Sequence, residues 1–280
     1  MEGPGHMKTL IDSITILLPF LYGFTVWAYA RTFFTNASWL EPVKRGLILT
    51  TVCLHLIYLI LRTVAFVHPP ITTVFEIMTI VALSISVAYL YLEIRTRVRG
   101  TGTFILILAF VFQLISSLFI KDLLEVKPVL RSNLLGIHVS SALLGLTAFA
   151  ISAAYGLLYL MLYHDIRANR FGVIYKRLPS LEILSTLSFN STIFGFIFLS
   201  IAITVGFIWL PQAYESFSYA DPKLIGTFLI WTLYGIGLLS KRIGGWQGRR
   251  LMILVITGFA ISFFSMTIIN IFFSSFHNFY

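Results

Sequence analysis

Residues 133–163 read NLLGIHVSSALLGLTAFAISAAYGLLYLMLY, an unbroken run in which His138 is the one ionisable side chain besides tyrosines. A helix rising about 1.5 Å per residue crosses a hydrocarbon layer of about 30 Å with some 20 apolar residues. This run exceeds one crossing, so it predicts a transmembrane helix that tilts or projects beyond the bilayer. Seven further runs meet the same test, at residues 10–30, 46–67, 73–94, 103–121, 183–210, 222–240 and 251–275. Pro19 lies in the first of them, where neighbouring helices in a membrane tolerate a kink. The expectation is an all-α integral membrane protein, a bundle of about eight transmembrane helices.

Composition leads to the same solvent. The 280 residues are 58% hydrophobic and 16% aromatic, with only 11% charged. Soluble domains keep about 25% charged residues, and half that density leaves too little polar surface to face water. The net charge of +9 does not indicate nucleic acid, because the basic residues sit in short clusters between apolar runs. Such clusters record orientation in a bilayer. One set of loops carries fourteen: Arg31, Lys44, Arg45, Arg95, Arg97, Arg99, Arg167, Arg170, Lys176, Arg177, Lys241, Arg242, Arg249 and Arg250. The other side carries five, Lys8, Lys121, Lys127, Arg131 and Lys223. The positive-inside rule assigns the first set to the cytoplasm, which puts both chain ends outside.

The opening MEGPGHM reads as a cloning remnant ahead of Met7, leaving residues 7–280 as a single transmembrane domain, and no signal-peptide cleavage pattern follows. No internal repeat or low-complexity tract interrupts it. The lone cysteine, Cys53, lies within an apolar run. A single thiol supports neither an intramolecular disulfide nor a dithiol exchange mechanism.

On this topology the outer side holds the turn His68-Pro69-Pro70, the loops 121–132 and 211–221, and the tail 276–280. The 211–221 loop, PQAYESFSYAD, offers Tyr214, Phe217 and Tyr219 as aromatic surface beside Asp221. Three histidines fall at the outer depth. His68 closes the second run, His138 lies five residues inside the fifth, and His277 follows the eighth. Neutral imidazole is a good iron ligand where an apolar, aromatic wall surrounds it. Each also has a plain structural reading: a helix end bonded to backbone for His68, one hydrogen bond to a neighbour for His138, a chain-end residue for His277. His55 lies 13 residues before His68, near mid-membrane, and reads as a packed, hydrogen-bonded residue. His164, at the cytoplasmic end of its helix, reads as structural. Arg62 and Glu76 flank the His68 turn, as an ion pair or as a clamp for carboxylates such as propionates.

Four stretches resemble the cytochrome c assembly superfamily, which comprises CcsA/ResC, CcmC and HemX-like proteins. They are HPPITTVFE (68–76), LRSNLLGIHVS (130–140), DPKLIGTFLIWTLYGI (221–236) with GWQGRR (245–250), and Asn270 followed by His277. The resemblance covers roughly residues 55 to 280. It implies that His138 and His277 are external ligands of a b-type haem, with the 211–221 loop as its wall and Lys223 or Arg131 against the propionates. Two departures stand out. The three tryptophan positions of the family's loop are Tyr214, Ser218 and Ala220 here, and a histidine of the haem-transporting members is Leu239. Both make the chain most similar to the HemX-like branch.

The resemblance thus implies a multi-pass protein of the bacterial inner (cytoplasmic) membrane that handles haem b without being an enzyme. Any ligation of haem to a cytochrome would require partner subunits, such as a CcsB-like protein. The alternative it leaves is a HemX-like regulator or scaffold acting on haem-biosynthesis enzymes through its basic loops, with no haem bound. A quinone-linked b-type cytochrome needs histidine pairs stacked through the membrane, and His55 has no such partner in the sequence.

Overall fold

The computed structural model describes residues 4–96, 100–122, 132–213 and 220–265. Among them the regular structure is entirely helical. The chain forms two compact units. The first is Met1–Val126 with Lys176–Pro179, and the second is Lys127–Tyr175 with Ser180–Tyr280.

The first unit contains α1 (Pro4–Thr35), a 3-10 turn (Ser38–Leu40), α2 (Glu41–Phe66), α3 (Val74–Thr96) and α4 (Gly102–Phe119). α1 packs on α2 and α4, and α3 packs on α2 and α4. α1 continues through Pro19. α2 opens on Glu41-Pro42, where a proline amide is not needed, and ends at Val67 in the left-handed region (φ 59°). A β-branched residue resists that conformation. His68-Pro69-Pro70 follows directly, and the restrictions prolines place on themselves and the residues before them prevent the helix from continuing.

The second unit contains α5 (Asn133–Arg167), α7 (Leu181–Ala213), α8 (Pro222–Arg242) and α9 (Arg249–Phe264), while the short α6 (Val173–Arg177) carries the boundary between the units. α5 packs along α7 and against α9, and α8 packs on both α7 and α9. Lipid tails give no hydrophobic drive between helices, so close backbone approach and polar side chains must hold them. The α5–α7 seam is built that way. A Cβ on Gly145 would lie 3.3 Å from the Gly195 carbonyl, and one on Gly195 would lie 2.5 Å from the Phe149 ring. Further along, Ser152 bonds Ser188 and Thr192, the latter at 2.7 Å.

The outer surface of the spans is apolar, with Phe20 72% exposed and Ile16 66%, whereas Arg62 is 2% exposed and His55 and Glu76 are fully buried. Large apolar side chains on the outside and ionisable ones buried within the spans are expected when lipid is the solvent. Seven of the helices are long and apolar enough to cross a membrane. α9 is described over 16 residues, and the remainder of the predicted eighth run, to 275, lies outside the described residues. The chain is a multi-pass helical membrane protein.

Candidate functional site

His138 stands on the sixth position of α5, with its ring turned onto α7. Its Nδ1 lies 2.8 Å from the carbonyl oxygen of Ala202. A carbonyl only accepts, so Nδ1 carries the proton and the basic lone pair is on Nε2. On α7, residues 202, 206 and 209 fall at the four- and three-residue spacing that makes one helical face. Gly206 gives the imidazole room, since a Cβ there would come within 2.8 Å of Nδ1. Trp209, 3% exposed, lies nearly parallel to the ring, with centroids 6.5 Å apart and planes 15° apart. Further aromatic contacts join α7 to α8. Phe207 meets Phe228 edge-on at 5.9 Å, and Trp231 stacks on Phe196 and donates from Nε1 to Ser200 Oγ at 2.8 Å.

Asp221 immediately precedes α8 and is 5% exposed, and its carbonyl accepts from the amide of Ile225. His277 lies outside the described residues, as do Tyr214, Phe217, Tyr219 and Arg131, so the pairing of His138 with His277 and the aromatic loop wall stay expectations. Two features of the His138 surroundings escape a reading of the sequence, the tryptophan at 209 and the glycine at 206. Their spacing with Ala202 is visible, but nothing local indicates that a histidine 64 residues earlier packs against that face.

Of the outer histidines, His68 lies in the first unit. His68 is 6% exposed and its Nδ1 donates to the Pro69 carbonyl at 2.9 Å, so it too carries its lone pair on Nε2. In the same unit, Arg62 bridges Glu76 and Asp122, each at 3.2 Å, and Lys8 reaches Asp122 at 3.4 Å. Glu76 also accepts from the Thr72 amide and hydroxyl at 2.8 and 2.6 Å. Of the two readings of Arg62 and Glu76, the ion pair is the one formed.

His55 is bonded through both ring nitrogens, to Tyr22 Oη at 2.8 Å and Thr79 Oγ1 at 2.9 Å. Thr79 donates onward to Gln113, so His55 donates from Nε2 and accepts the Tyr22 hydroxyl at Nδ1. Neither nitrogen is left for a metal, and the packed, hydrogen-bonded reading holds.

The donor set distinguishes among metal chemistries. Among the described residues, no three of His, Cys, Asp and Glu are grouped to hold a bare metal ion. Haem makes a smaller demand: one or two axial ligands, with the porphyrin against apolar and aromatic walls. A histidine anchored through Nδ1 to a backbone carbonyl has the fixed tautomer and orientation that metal-ligating histidines use. His138 therefore fits the role of one axial ligand on donor chemistry. His68 shares the tautomer but is only 6% exposed, with its ring 6.3 Å from that of Phe66.

These features define a class: a polytopic helical membrane protein with histidines held near helix ends. The chain belongs to the cytochrome c assembly protein family, whose profile matches residues 71–277, well over half its length. Among relatives, Protein HemX of Brevibacillus brevis is 25% identical over 224 residues, covering 79% of this chain and 82% of that protein. Protein HemX of Bacillus subtilis is 29% identical over 120 residues, 43% of this chain and 44% of its own length. Cytochrome c biogenesis protein CcsA of Chlamydomonas reinhardtii is 28% identical over 152 residues, covering 54% of this chain and 42% of that protein. The chain thus spans less than half of the Bacillus subtilis and Chlamydomonas proteins it matches.

Proposed function

We propose that this protein binds haem b at the external membrane face and handles it in the service of cytochrome c assembly, as a binding protein and not as an enzyme. The observation that carries the reading is the bond from His138 Nδ1 to the Ala202 carbonyl, which presents imidazole as a neutral, oriented ligand. Family membership supports the assembly context. In this reading residues 7–280 form one functional transmembrane domain of eight helices with both ends external, in the cytoplasmic membrane of a bacterium. His138 and His277 are the axial ligands, Tyr214, Phe217, Tyr219 and Asp221 form the surrounding wall, and a CcsB-like subunit or other assembly protein is the partner. When bound, haem supplies a redox-active iron and the vinyl groups that cytochrome c assembly consumes. The chain's own residues bind it, orient it and keep lipid-side surfaces apolar.

A second reading, a membrane regulator or scaffold for haem-biosynthesis enzymes without bound haem, is favoured by the match to HemX of Brevibacillus brevis along most of both chains. The absorption spectrum of the detergent-purified protein separates the two. A Soret band with a b-type pyridine haemochrome supports haem binding. A colourless protein that haemin leaves unchanged supports the scaffold.

A further inference from the structure

The first unit contains a cavity of about 220 Å³ at its basic end, away from the histidines, lined in part by Tyr29, Lys44, Gly100, Gly102, Thr103 and Arg177. We propose that this cavity is an anion site that takes a phosphate group, carried either by a lipid head group or by a small soluble phosphate. It goes beyond the haem reading and does not depend on it.

Three sources of positive potential converge there. Lys44 is 5% exposed although it is a lysine, with its ammonium 2.9 Å from Glu41 and 5.2 Å from the centre of the Tyr29 ring. Arg177 is anchored by one nitrogen, Nη1, which donates to the Thr32 and Phe33 carbonyls at the end of α1. Its Nε and Nη2 have no hydrogen-bond partner among the described residues. The third source is the start of α4. Thr101 caps it without a side-chain bond, so the first-turn amides at Gly102 and Thr103 lack the usual acceptor. Helix amides in that state carry partial positive charge and are suited to phosphate oxygens.

A further sign lies beside the wall. The Thr101 hydroxyl, on a residue 1% exposed whose two glycine neighbours line the cavity, is buried with no partner among the described residues. Such groups are costly to leave unmatched. Both glycines are required by geometry. Gly100 has φ +96°, and a Cβ on it would lie 2.5 Å from the Arg177 carbonyl. A Cβ on Gly102 would lie 2.5 Å from the Tyr29 ring. The two glycines thus let the backbone come up against Arg177 and Tyr29, which line the cavity with them. Among the lining residues Glu41 is the one acid against Lys44 and Arg177, and Glu93, which accepts from the lining Tyr29 hydroxyl at 2.6 Å, is matched by Arg45 at 4.0 Å, leaving the wall net positive. The volume is below the roughly 300–1,000 Å³ of pockets for drug-sized ligands, so a phosphate with few attached atoms fits better than a large cofactor.

The test uses the purified full chain in dodecyl maltoside micelles, which carry no phosphate. Thermal midpoint and amide hydrogen exchange are followed against added inorganic phosphate, at ionic strength held constant with chloride. A second arm adds phosphatidylglycerol to those micelles, with the phosphate-free diacylglycerol as its control. A saturable rise with free phosphate identifies a soluble ligand. A rise with phosphatidylglycerol alone identifies a lipid head group. In either case the amides of residues 102 and 103 gain protection, while those of 104 and 105 already bond the Thr101 carbonyl. Lys44→Met and Arg177→Gln each weaken the response about tenfold, the value of a charge-assisted hydrogen bond. Arg242→Gln, in the second unit, does not. No response in either arm overturns the proposal, as does stabilisation without protection at 102 and 103. Because exchange localises the ligand on the wild-type chain, the result stands even where a variant fails to fold.

Discussion

The imidazole of His138 occupies the space that a side chain on Gly206 would fill, with Nδ1 2.8 Å from the position of a Cβ there and 2.8 Å from the Ala202 carbonyl. The glycine and the carbonyl lie one turn apart on α7. The absence of a side chain at 206 is what lets the ring reach the backbone.

Gly206→Val should therefore move His138 off Ala202 without touching the histidine itself. Losing the group that orients a metal-ligating histidine costs about 10–100-fold in affinity. Haem retention, read by pyridine haemochrome per mole of protein, is expected to fall about tenfold or more. Gly136→Ala is the matched control, because a Cβ there meets nothing within 4 Å. Equal haem content in both variants would show that the His138–Ala202 bond has no part in binding.

The helices are legible in the sequence because a bilayer span leaves a local signature, some twenty residues without charge. The 133–163 run is α5, which continues four residues past the apolar run to Arg167. α6 leaves no such trace: five residues form too few turns for periodicity to register. The ionisable residues divide by distance. Arg62 and Glu76 are 14 positions apart across one turn, and their pairing is one of the two options the sequence offers. His138 meets Ala202 across 64 positions, and a backbone carbonyl has no residue type to betray it. His55 is readable as packed, but its partners Tyr22 and Thr79 come from two other helices and ordinary residues.

The ion cluster around Arg62 yields a stability prediction. Arg62 is 2% exposed and Glu76 fully buried, so Arg62→Met strands a carboxylate in the interior. Breaking one side of such a pair costs about 3–5 kcal/mol, whereas replacing both sides is far milder. Thermal unfolding in detergent should show a large drop for Arg62→Met. Arg62→Met with Glu76→Gln should recover most of it, since the amide oxygen introduced at position 76 can still accept from Thr72. If the double variant is no better than the single one, the interaction is not the pairing of two buried charges.

Orientation is testable at loops within the described residues. The fourteen-to-five asymmetry of basic residues predicts that the α5–α6 and α8–α9 connections face the cytoplasm. A phosphatase reporter active only outside the membrane should be inactive when fused after Asn169 or after Gly245, and active after Ile120. A reporter active only in the cytoplasm should give the reverse pattern. An active phosphatase after Asn169 would invert the bundle and move His138 to the inner face.

The ligand assignment makes the sharpest demand. With haem between His138 and His277, replacing either by Ala removes one axial ligand from a six-coordinate, low-spin iron. The iron then becomes five-coordinate or takes water, and added imidazole should restore the low-spin spectrum of both variants, because the opened position admits small ligands. His55→Ala should leave the spectrum unchanged even where it lowers stability, since Tyr22 and Thr79 already occupy both of its nitrogens. His68→Ala decides between partners. His68 carries its lone pair on the same nitrogen as His138, so tautomer alone does not separate them, but it is only 6% exposed. A His68→Ala protein that keeps its spectrum while His277→Ala loses low-spin character leaves His277 as the second ligand. The opposite pattern transfers that role to His68, and low-spin haem retained in both His138→Ala and His277→Ala would mean that neither histidine holds the iron.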